Sequence, residues 1–505
     1  MVISDSPVID KHDIYKEDPM EATRVIGVDL GIASSHVAVI CDETGEVIGR
    51  RQFRPKRPSL EALEAAALDG AEEGTGLCVV MEPTGAAWLP VAVFFIRRGH
   101  TVYRVSSSKA SDLRKFFSRH TKTNAIDALT LAKMPAVDAA ALLPLELPEA
   151  AAASLGRRVR AVNRLIEQLA RHKERIRALA RQVMPALADV VVSEIRGADL
   201  VVLANYGDPR VLAGLDPENL ADQVVRQSGV GRAYAMRRAG AWISVAQDAI
   251  ELYGDDPAVA FTDVAEEIAS EIAIVRLLQA EIVRHEERRE HAYRAVDPQE
   301  IARSLPGVGA SGGPVLVAAI GRPGRFPNAS SVRRFTGLAP RASETGNSDR
   351  KGQPMSKAGA SWLRDQLFMS ANVARRIDPQ LAAIYYRQMV ENGAHHTKAV
   401  CIVAAHLAER AWLTLARQTP YVLRDVDGSE VTVAEGKAIV AERYQVPDEV
   451  RRRRRSHKKT GKVPHSVLGA HSHGSHHQVD RRGDLPRPST VTINGSTVKR
   501  AMIAT

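Results

Sequence analysis

Cysteine, aromatic residues and long hydrophobic runs are all scarce in this sequence, and each shortage excludes a class of protein. The three cysteines (Cys41, Cys78, Cys401) lie far apart in 505 residues, which excludes a disulfide framework and a cysteine metal site and favours a reducing compartment. The longest apolar runs, such as 89–96, are too short to cross a bilayer, and the N-terminus lacks the layout of a signal peptide. With 45% hydrophobic, 25% charged and 5% aromatic residues, the composition indicates a globular, helix-rich protein without a membrane partner.

The net charge of +10 would by itself indicate a nucleic-acid-binding protein, but it comes from the C-terminus. Residues 451–505 contain 13 Lys and Arg against 2 Asp and Glu, a net +11, so residues 1–450 carry about −1. Two local segments, 97–122 and 157–181, each carry +7 and are candidates for contacts with a phosphate backbone. Their candidate residues are Lys109, Arg114, Lys115, Arg119 and Lys122 in the first, and Arg157, Arg158, Arg164 and Arg171 in the second. For either segment, a solvated charged face is an equally simple alternative.

The N-terminal part has the pattern of a mixed α/β sheet. Three short apolar runs with tight turns between 24 and 53 predict an antiparallel meander of three strands. A helix over 59–73 with Ser59 as its N-cap follows. Further strands and helices alternate up to the helical segment that begins near 124. The order βββαβαβα predicts one sheet with helices on its faces.

The rest of the chain up to about 417 is predicted to be helical, with mixed short helices over 184–261 and longer ones over about 357–376, 378–392 and 396–417. Apolar residues at alternate spacings of three and four over 151–183, and again over 262–293, predict two long helices that pair as an antiparallel coiled coil or form a dimerisation arm. The fold class is therefore α/β plus all-α. The predicted segments are a flexible acidic leader (1–23), the α/β domain (24–150), a helical coiled-coil arm (151–300), a compact helical domain (301–420) and a basic tail expected to be disordered (421–505).

The first candidate site is acidic. Asp29 and Glu82 end two predicted strands, and Asn124 and Asp127 lie three residues apart on one helix face. Because carboxylates at the carboxyl ends of neighbouring strands converge at one sheet edge, these oxygens suit Mg²⁺ or Mn²⁺. A two-metal site of this kind clamps the attacking and leaving oxygens of a phosphodiester. Taken singly, Asp29 and Glu82 are more simply explained as turn or cap residues before Gly and Pro, whereas together, on the order βββαβαβα with an acidic helix downstream, they favour a metal site.

The second candidate site is the loop 337–359, which brings hydroxyls close to cations. A hydroxyl that attacks a phosphodiester needs neighbouring cations to stabilise the developing charge. The hydroxyls are Thr345, Ser343, Ser348 and Ser356, and the cations, which are also candidates for DNA contacts, are Arg341, Arg350, Lys351, Lys357 and Arg364. From spacing alone, ordinary loop residues and an N-cap at Ser356 explain the segment better.

A third candidate is the turn LPGVG (305–309). A Pro-Gly-Val-Gly turn between helices can aim backbone N–H groups at a phosphate, which makes Gly307 and Gly309 candidates for nucleic-acid binding. An ordinary interhelical turn is the simpler explanation.

Taken together, the motifs resemble one family. IGVDLG (26–31), MEPTGAAW (81–88) and KTNAIDAL (122–129) resemble the RuvC-like domain of the DEDD transposases of insertion sequences, relatives of the pilin-gene invertases and the bridge-RNA-guided recombinases. LPGVG, FTGLAPR (335–341) and SKAGASWLR (356–364) resemble the C-terminal transposase domain of that family. Order and spacing agree over roughly 24–420.

This resemblance implies an RNase H-like catalytic domain over 24–150, Mg²⁺ at four acidic residues, and a hydroxyl nucleophile from the C-terminal domain that becomes covalently joined to DNA. It also implies a site shared between protomers of a dimer or tetramer, a noncoding RNA that selects target and donor, and a bacterial cytoplasmic, nucleoid-associated location. Asp29 and Glu82 match the first two acids and Asp127 the last. Asn124 stands where the family has Asp, and Thr345, before Gly346, stands where it has the nucleophilic Ser.

Three hypotheses follow. The first is a transposase or recombinase in which Asp29, Glu82, Asn124 and Asp127 hold Mg²⁺ and Thr345 attacks DNA, with Ser343, Ser348 and Ser356 as alternates. The second is a structure-specific nuclease that cuts with metal-activated water. The third is an inactive nucleic-acid-binding relic, motivated by the departures at Asn124 and Thr345.

Overall fold

The computed structural model describes residues 23–117, 123–138, 142–254, 258–341, 344–345, 348–349 and 353–454, with backbone only at 344–345 and 348–349. The predicted leader up to residue 22 and the tail beyond 454 lie outside the described residues. So do the candidate residues Arg119, Lys122, Ser343, Arg350 and Lys351.

A five-stranded mixed sheet forms the N-terminal part, in the order β3-β2-β1-β4-β5. Its first three strands form the predicted antiparallel meander, whereas β4 and β5 run parallel to β1. The strands are β1 (Thr23–Asp29), β2 (His36–Cys41), β3 (Val47–Phe53), β4 (Gly76–Met81) and β5 (Thr101–Arg104). This mixed α/β sheet, followed by helices, is the architecture that the sequence predicts.

Helices cover both faces of the sheet. One face carries α1 (Arg57–Leu68) and α2 (Trp88–Arg97), and the other carries α3 (Ser107–Phe117) and α4 (Asn124–Asp138). The predicted N-cap at Ser59 is wrong: α1 begins at Arg57 after Lys56, because Pro58 suits the first helical turn. Between the sheet and α3 and α4, burial raises the pKa of the Cys78 thiol to about 12, which makes this cysteine structural.

Helix α4 crosses β1 in direct backbone contact at Gly27. A Cβ atom at this position would overlap the carbonyl oxygen of Ala128 and the backbone nitrogen of Ala132. Ala128 and Ala132 themselves pack on Val39 and Cys41 of β2. The small residues on both elements therefore set how closely α4 approaches the sheet, and with it the position of the helix N-terminus.

We expect Gly27→Ala to destabilise the α/β domain by about 3 kcal/mol, because the added methyl must push α4 away from the sheet. The matched control is Gly240→Ala, in an exposed helical position where a Cβ atom meets nothing within 4 Å. That change should stabilise the chain by about 0.5–1 kcal/mol. Thermal unfolding measures both, and equal effects of the two substitutions would contradict the close approach.

Two long helices follow the sheet, α5 (Ala150–Val183) and, later in the chain, α11 (Phe261–Val296). They pack against each other along their length and run antiparallel. The middle of α5 reaches α11 through Glu271, which binds His172 Nδ1 at 2.5 Å and Arg175 Nη1 at 2.9 Å. The beginning of α5, at Leu155, shares a hydrophobic cluster with the end of α11, at Tyr293. Coiled-coil packing of the pair stays a prediction.

Between these helices lie five more, which enclose a second hydrophobic cluster around Trp242. They are α6 (Leu187–Val190), α7 (Gly197–Tyr206), α8 (Pro209–Leu212), α9 (Pro217–Ser228) and α10 (Arg232–Tyr253). Only short helices were expected over 184–261. One of the five, α10, is 22 residues long and was not predicted. Its alanines and scattered arginines give little contrast between a polar and an apolar face, so its sequence shows no clear helical period.

The C-terminal part is a helical bundle around one large core. Its helices are α12 (Gly312–Ile320), α13 (Ala329–Thr336), α14 (Ser361–Ala374), α15 (Pro379–Tyr386) and α16 (His396–Arg417). The central α16 spans the residues that the sequence predicts. By length and composition alone this one described helix could cross a membrane, and most of it is buried inside the bundle. No long continuous apolar run marks this helix in the sequence, because charged residues interrupt the apolar ones.

Residues 421–454, assigned from the sequence to a disordered tail, are instead folded. They contain α17 (Val433–Arg443) and α18 (Asp448–Arg453), and Val446 between them is buried in the core of the bundle. A capping box of Thr432 and Glu435 begins α17. The segment is polar enough to suggest disorder, but a few apolar anchors hold it on the bundle.

Candidate active site and nucleic-acid interface

Asp29 and Glu82 lie side by side at one edge of the sheet. Val28 of β1 pairs in parallel with Met81 of β4, so the next residue of each strand, Asp29 and Glu82, stands at the same level. Adjacent strands lie about 4.8 Å apart. Strand alternation puts both acids on the face that carries α4, since Gly27 contacts α4 and Val80 packs against it. Both are half-buried.

Asp127 and Asn124 lie in the first turn of α4, on the same face of the sheet. The Thr123 hydroxyl accepts a hydrogen bond from the Ile126 N–H at 3.2 Å and so caps the helix. Asp127 is half-buried and pairs with Arg114 of α3, whose Nη1 lies 3.3 Å from Oδ1. Asn124, the first residue of α4, is exposed.

The chemistry of these donors fits a hard divalent cation, because they are carboxylate and amide oxygens. The arrangement is not a closed cage: within the described ranges, no three His, Cys, Asp or Glu side chains are placed to hold one metal ion. Asp127 is engaged by a guanidinium, so Arg114 is a positioning partner of a candidate ligand and not a free cation for phosphate.

His36 is a residue at this edge that the sequence analysis missed. It begins β2, is 3% exposed, and its Nδ1 accepts the Gly31 N–H at 3.1 Å, which ties the loop after Asp29 to the core. Its ring packs edge-on against Phe53, and its Nε2 has no hydrogen-bond partner among the described residues. Burial lowers the pKa of the imidazole, which keeps it neutral and able to accept this bond. A single histidine at a strand start carries no spacing signal.

A contact between Arg104 and Trp88, after the loop that follows β4, is a second feature that the sequence analysis did not predict. The Arg104 guanidinium, at the end of β5, lies over the Trp88 ring at 4.1 Å from its centroid. Trp88 closes the MEPTGAAW motif that begins at the end of β4, and it packs on the face of the sheet opposite to that of Asp29 and Glu82. Only the parallel pairing of β4 and β5 brings these two residues together.

Part of the candidate loop 337–359 forms a β-hairpin. Pro340 pairs with Met355 in an isolated antiparallel bridge, and β6 (Glu344–Thr345) pairs with β7 (Ser348–Asp349). Thr345 and Ser348 are directly paired, with two residues between them, Gly346 and Asn347. Small residues of this kind favour two-residue hairpin turns. Two of the candidate hydroxyl residues therefore flank the hairpin tip.

Two glycines anchor the base of this hairpin. A Cβ atom on Gly337 would come within 2.7 Å of the Ala358 nitrogen, and one on Gly359 would overlap the Phe335 carbonyl oxygen. Arg364 donates to the Gly359 carbonyl, which adds a structural role to this candidate DNA contact.

Three other candidates of this segment lie at the base and not at the tip. Lys357 has a left-handed φ of 56°, is exposed, and donates its N–H to the Gly337 carbonyl. Arg341 is exposed, with its N–H on the Pro354 carbonyl. Ser356 does not cap α14, which begins at Ser361 after Ala360; its N–H donates to the Ala339 carbonyl. Lys357 and Arg341 thus remain available to phosphate, whereas Ser356 lies at the base, next to the Pro340–Met355 bridge.

The basic segment of α5 presents a regular row of cations. Arg157, Arg164 and Arg171 are exposed and repeat every seven residues, which puts them on one helix face about 10 Å apart. Arg158 is half-buried. None of the four forms an ion pair with a described residue. On α3 the pattern differs, because Lys115 pairs with Asp112 at 3.4 Å and Lys109 is half-buried.

The turn 305–309 packs against α14. Gly307 has a φ of 73°, and a Cβ atom there would overlap the Ser370 carbonyl of α14. Close packing therefore accounts for this glycine, whereas Gly309 is exposed with open space around it. A phosphate contact at Gly309 stays a prediction.

Known proteins resemble this chain over both parts that carry these features. Residues 26–185 match a transposase model for the DEDD domain of IS110, and residues 299–386 match the transposase IS116/IS110/IS902 family. The chain belongs to the DEDD transposase family of the IS110 and IS116 insertion elements. The transposase is therefore an enzyme that acts on DNA, and its family uses divalent metal ions.

Relatives in two streptomycetes align with most of the transposase. An uncharacterized 43.6 kDa protein of insertion element IS110 from Streptomyces coelicolor is 26% identical over 415 residues, which is 80% of this chain and 97% of the relative. An uncharacterized 44.8 kDa protein of IS116 from Streptomyces clavuligerus is 24% identical over 399 residues, 77% of this chain and 94% of that relative. This chain thus aligns with nearly the whole length of both relatives.

Proposed function

We propose that this transposase cuts and rejoins DNA strands at a site assembled from the acidic sheet edge and a hydroxyl of the C-terminal hairpin. The observation that supports this most is the parallel register of β1 and β4, which puts Asp29 and Glu82 at the same level on the face covered by α4. Asp127 begins that helix on the same face. We assign the α/β part to an RNase H-like catalytic domain over 24–150, the long helices to an arm over 151–300, and 301–454 to the transposase domain.

Asp29, Glu82, Asn124 and Asp127 would hold Mg²⁺, or Mn²⁺, through oxygen ligands. When bound, the ion polarises a phosphodiester and neutralises charge that develops on it. Arg114 holds the Asp127 carboxylate at 3.3 Å and limits its freedom to turn away. Asn124 contributes an uncharged oxygen where the family has a carboxylate, so we expect weaker metal binding at this position.

Thr345 is the proposed nucleophile. In this reaction its hydroxyl oxygen forms a bond to phosphorus, one phosphodiester P–O bond breaks, and the hydroxyl proton passes to the leaving deoxyribose oxygen. The reverse attack by a DNA hydroxyl releases the protein and rejoins a strand. The backbone pairing of Thr345 with Ser348 supports this role, because it holds the proposed nucleophile on a short strand of defined register.

Two further features of the family are proposed for this chain. The antiparallel pair α5 and α11 would join protomers into a dimer or tetramer, so that the hairpin of one protomer meets the acidic edge of another. A noncoding guide RNA would bind basic surfaces, among which the row Arg157, Arg164 and Arg171 is regular enough to follow a phosphate backbone. Sequencing the RNA that co-purifies with the protein tests this guidance.

The wild-type chain is expected to produce protein-linked DNA. Incubated with Mg²⁺ and supercoiled DNA that carries the element ends, it should give cut strands that enter a gel only after protease digestion. Cut strands that are free of protein would instead indicate a nuclease that uses metal-activated water. Binding without any cutting, even after Asn124→Asp and Thr345→Ser, would indicate an inactive relic.

A further inference from the structure

Arginines from two distant parts of the chain meet on the surface of the C-terminal bundle. Arg375 and Arg376 follow the last residue of α14, and Arg451, Arg452 and Arg453 form the last turn of α18. Between them begins α16, with His395 as its N-cap: its side chain accepts the Lys398 N–H at 3.2 Å. We call Arg375, Arg376 and Arg451–Arg453, together with the start of α16, the arginine cluster.

The fold holds the two parts of the arginine cluster together. The His396 N–H donates to the Arg454 carbonyl at 3.0 Å, and the Arg454 guanidinium donates to the Gly393 carbonyl. Val450 packs on the core of the bundle. The arginine run that the sequence assigned to a disordered tail therefore begins on the folded surface, and its first three guanidinium groups belong to a defined site.

Few acidic side chains neutralise the positive charges of the arginine cluster. Burial, and then the nearby Arg376 and Arg451, lower the pKa of Arg375, which stacks over the Tyr385 ring at 4.2 Å. Among the described residues, the cluster forms one ion pair, that of Arg451 with Asp448, at 3.6 Å and with both side chains mostly exposed. Arg376, Arg452 and Arg453 are exposed and pair with no described acid. Like charges held together in this way give the surface a local positive potential that attracts anions.

We propose that the arginine cluster binds the phosphate backbone of duplex DNA. Guanidinium groups donate two parallel hydrogen bonds to phosphate oxygens, and the N-terminus of the 22-residue α16 adds a partial positive charge at the same place. The cluster contacts no acid of the catalytic edge, so it positions DNA and does not cut it. The inference rests on the DNA binding of the transposase and is independent of the proposed nucleophile.

Salt-dependent binding tests this site. In Arg376→Gln/Arg451→Gln/Arg452→Gln, three exposed guanidinium groups are lost, and the slope of log K against log salt should fall by up to about 2.7, since each phosphate contact contributes about 0.9. The matched control, Lys458→Gln/Lys459→Gln/Lys462→Gln, removes the same charge just beyond the cluster and should change the slope much less. Removal of 455–505 should likewise spare most of the cluster's contribution, whereas removal of 451–505 should not.

Three outcomes would overturn the proposal. These are a wild-type slope in the arginine variant with an unchanged thermal midpoint, an equal loss in the lysine control, and a loss seen with RNA of the same length but not with duplex DNA. The last would indicate an RNA site. Protein-linked DNA at saturating DNA concentration reports the chemistry separately, so a failure of the proposed nucleophile leaves the slope result intact.

Discussion

Replacement of Thr345 by alanine is expected to abolish protein-linked DNA while DNA affinity stays within about twofold. The alanine removes the only atom that forms the new bond to phosphorus, and no step of attachment proceeds without it. The backbone pairing of Thr345 with Ser348 does not depend on the side chain, so the hairpin should persist. Attachment is read as DNA that enters a gel only after protease digestion, and affinity as binding to labelled element ends.

The hairpin itself offers the matched controls. Ser348→Ala removes the hydroxyl of the residue whose backbone pairs with Thr345, and Ser356→Ala removes one at the base; both should retain attachment. Thr345→Ser should keep or increase it, because serine lacks the β-branch that restricts the rotamer of threonine. If Thr345→Ala still forms the adduct and one of the variants Ser348→Ala and Ser343→Ala does not, the serine removed in that variant is the nucleophile.

Glu82→Gln is expected to lower Mg²⁺-dependent cutting by about a thousandfold or more. A metal ion contributes several kcal/mol to stabilising transition-state charge, and each 1.4 kcal/mol is a factor of ten in rate. Glutamine keeps the size of the side chain, so the sheet edge should stay intact. Product formation is measured over a titration of MgCl₂, with binding of element ends measured in the same samples.

The control for this change is Glu73→Gln, an exposed acid just before β4 that should cut normally. Asn124→Asp should have the opposite effect. It adds a negative charge to the donor set, so cutting should reach half of its maximum at a lower Mg²⁺ concentration. Normal cutting by Glu82→Gln would remove the acidic edge from the mechanism, whatever the outcome at Thr345.

Much of the N-terminal part could be predicted because its signals are local. Apolar runs of strand length, broken by turn residues, predict the meander. Strand β1 ends at Asp29 as expected, and β4 ends at Met81, one residue before Glu82. In the C-terminal bundle α16 has the predicted bounds. The sequence did not predict α10, because its apolar residues show no clear helical period. It also did not predict α18, a short polar helix that a few apolar side chains hold on the bundle.

By itself, the sequence determined which side chains are available for chemistry and how the family motifs are ordered. It also determined that the excess charge lies at the C-terminus. Which groups meet was decided only in three dimensions. The register of β1 and β4 puts Asp29 beside Glu82. The absence of a Cβ atom at Gly27 lets α4 pack directly on β1. Antiparallel pairing places Thr345 opposite Ser348. Backbone pairing and close packing join residues far apart in the chain, and local composition carries no record of such contacts.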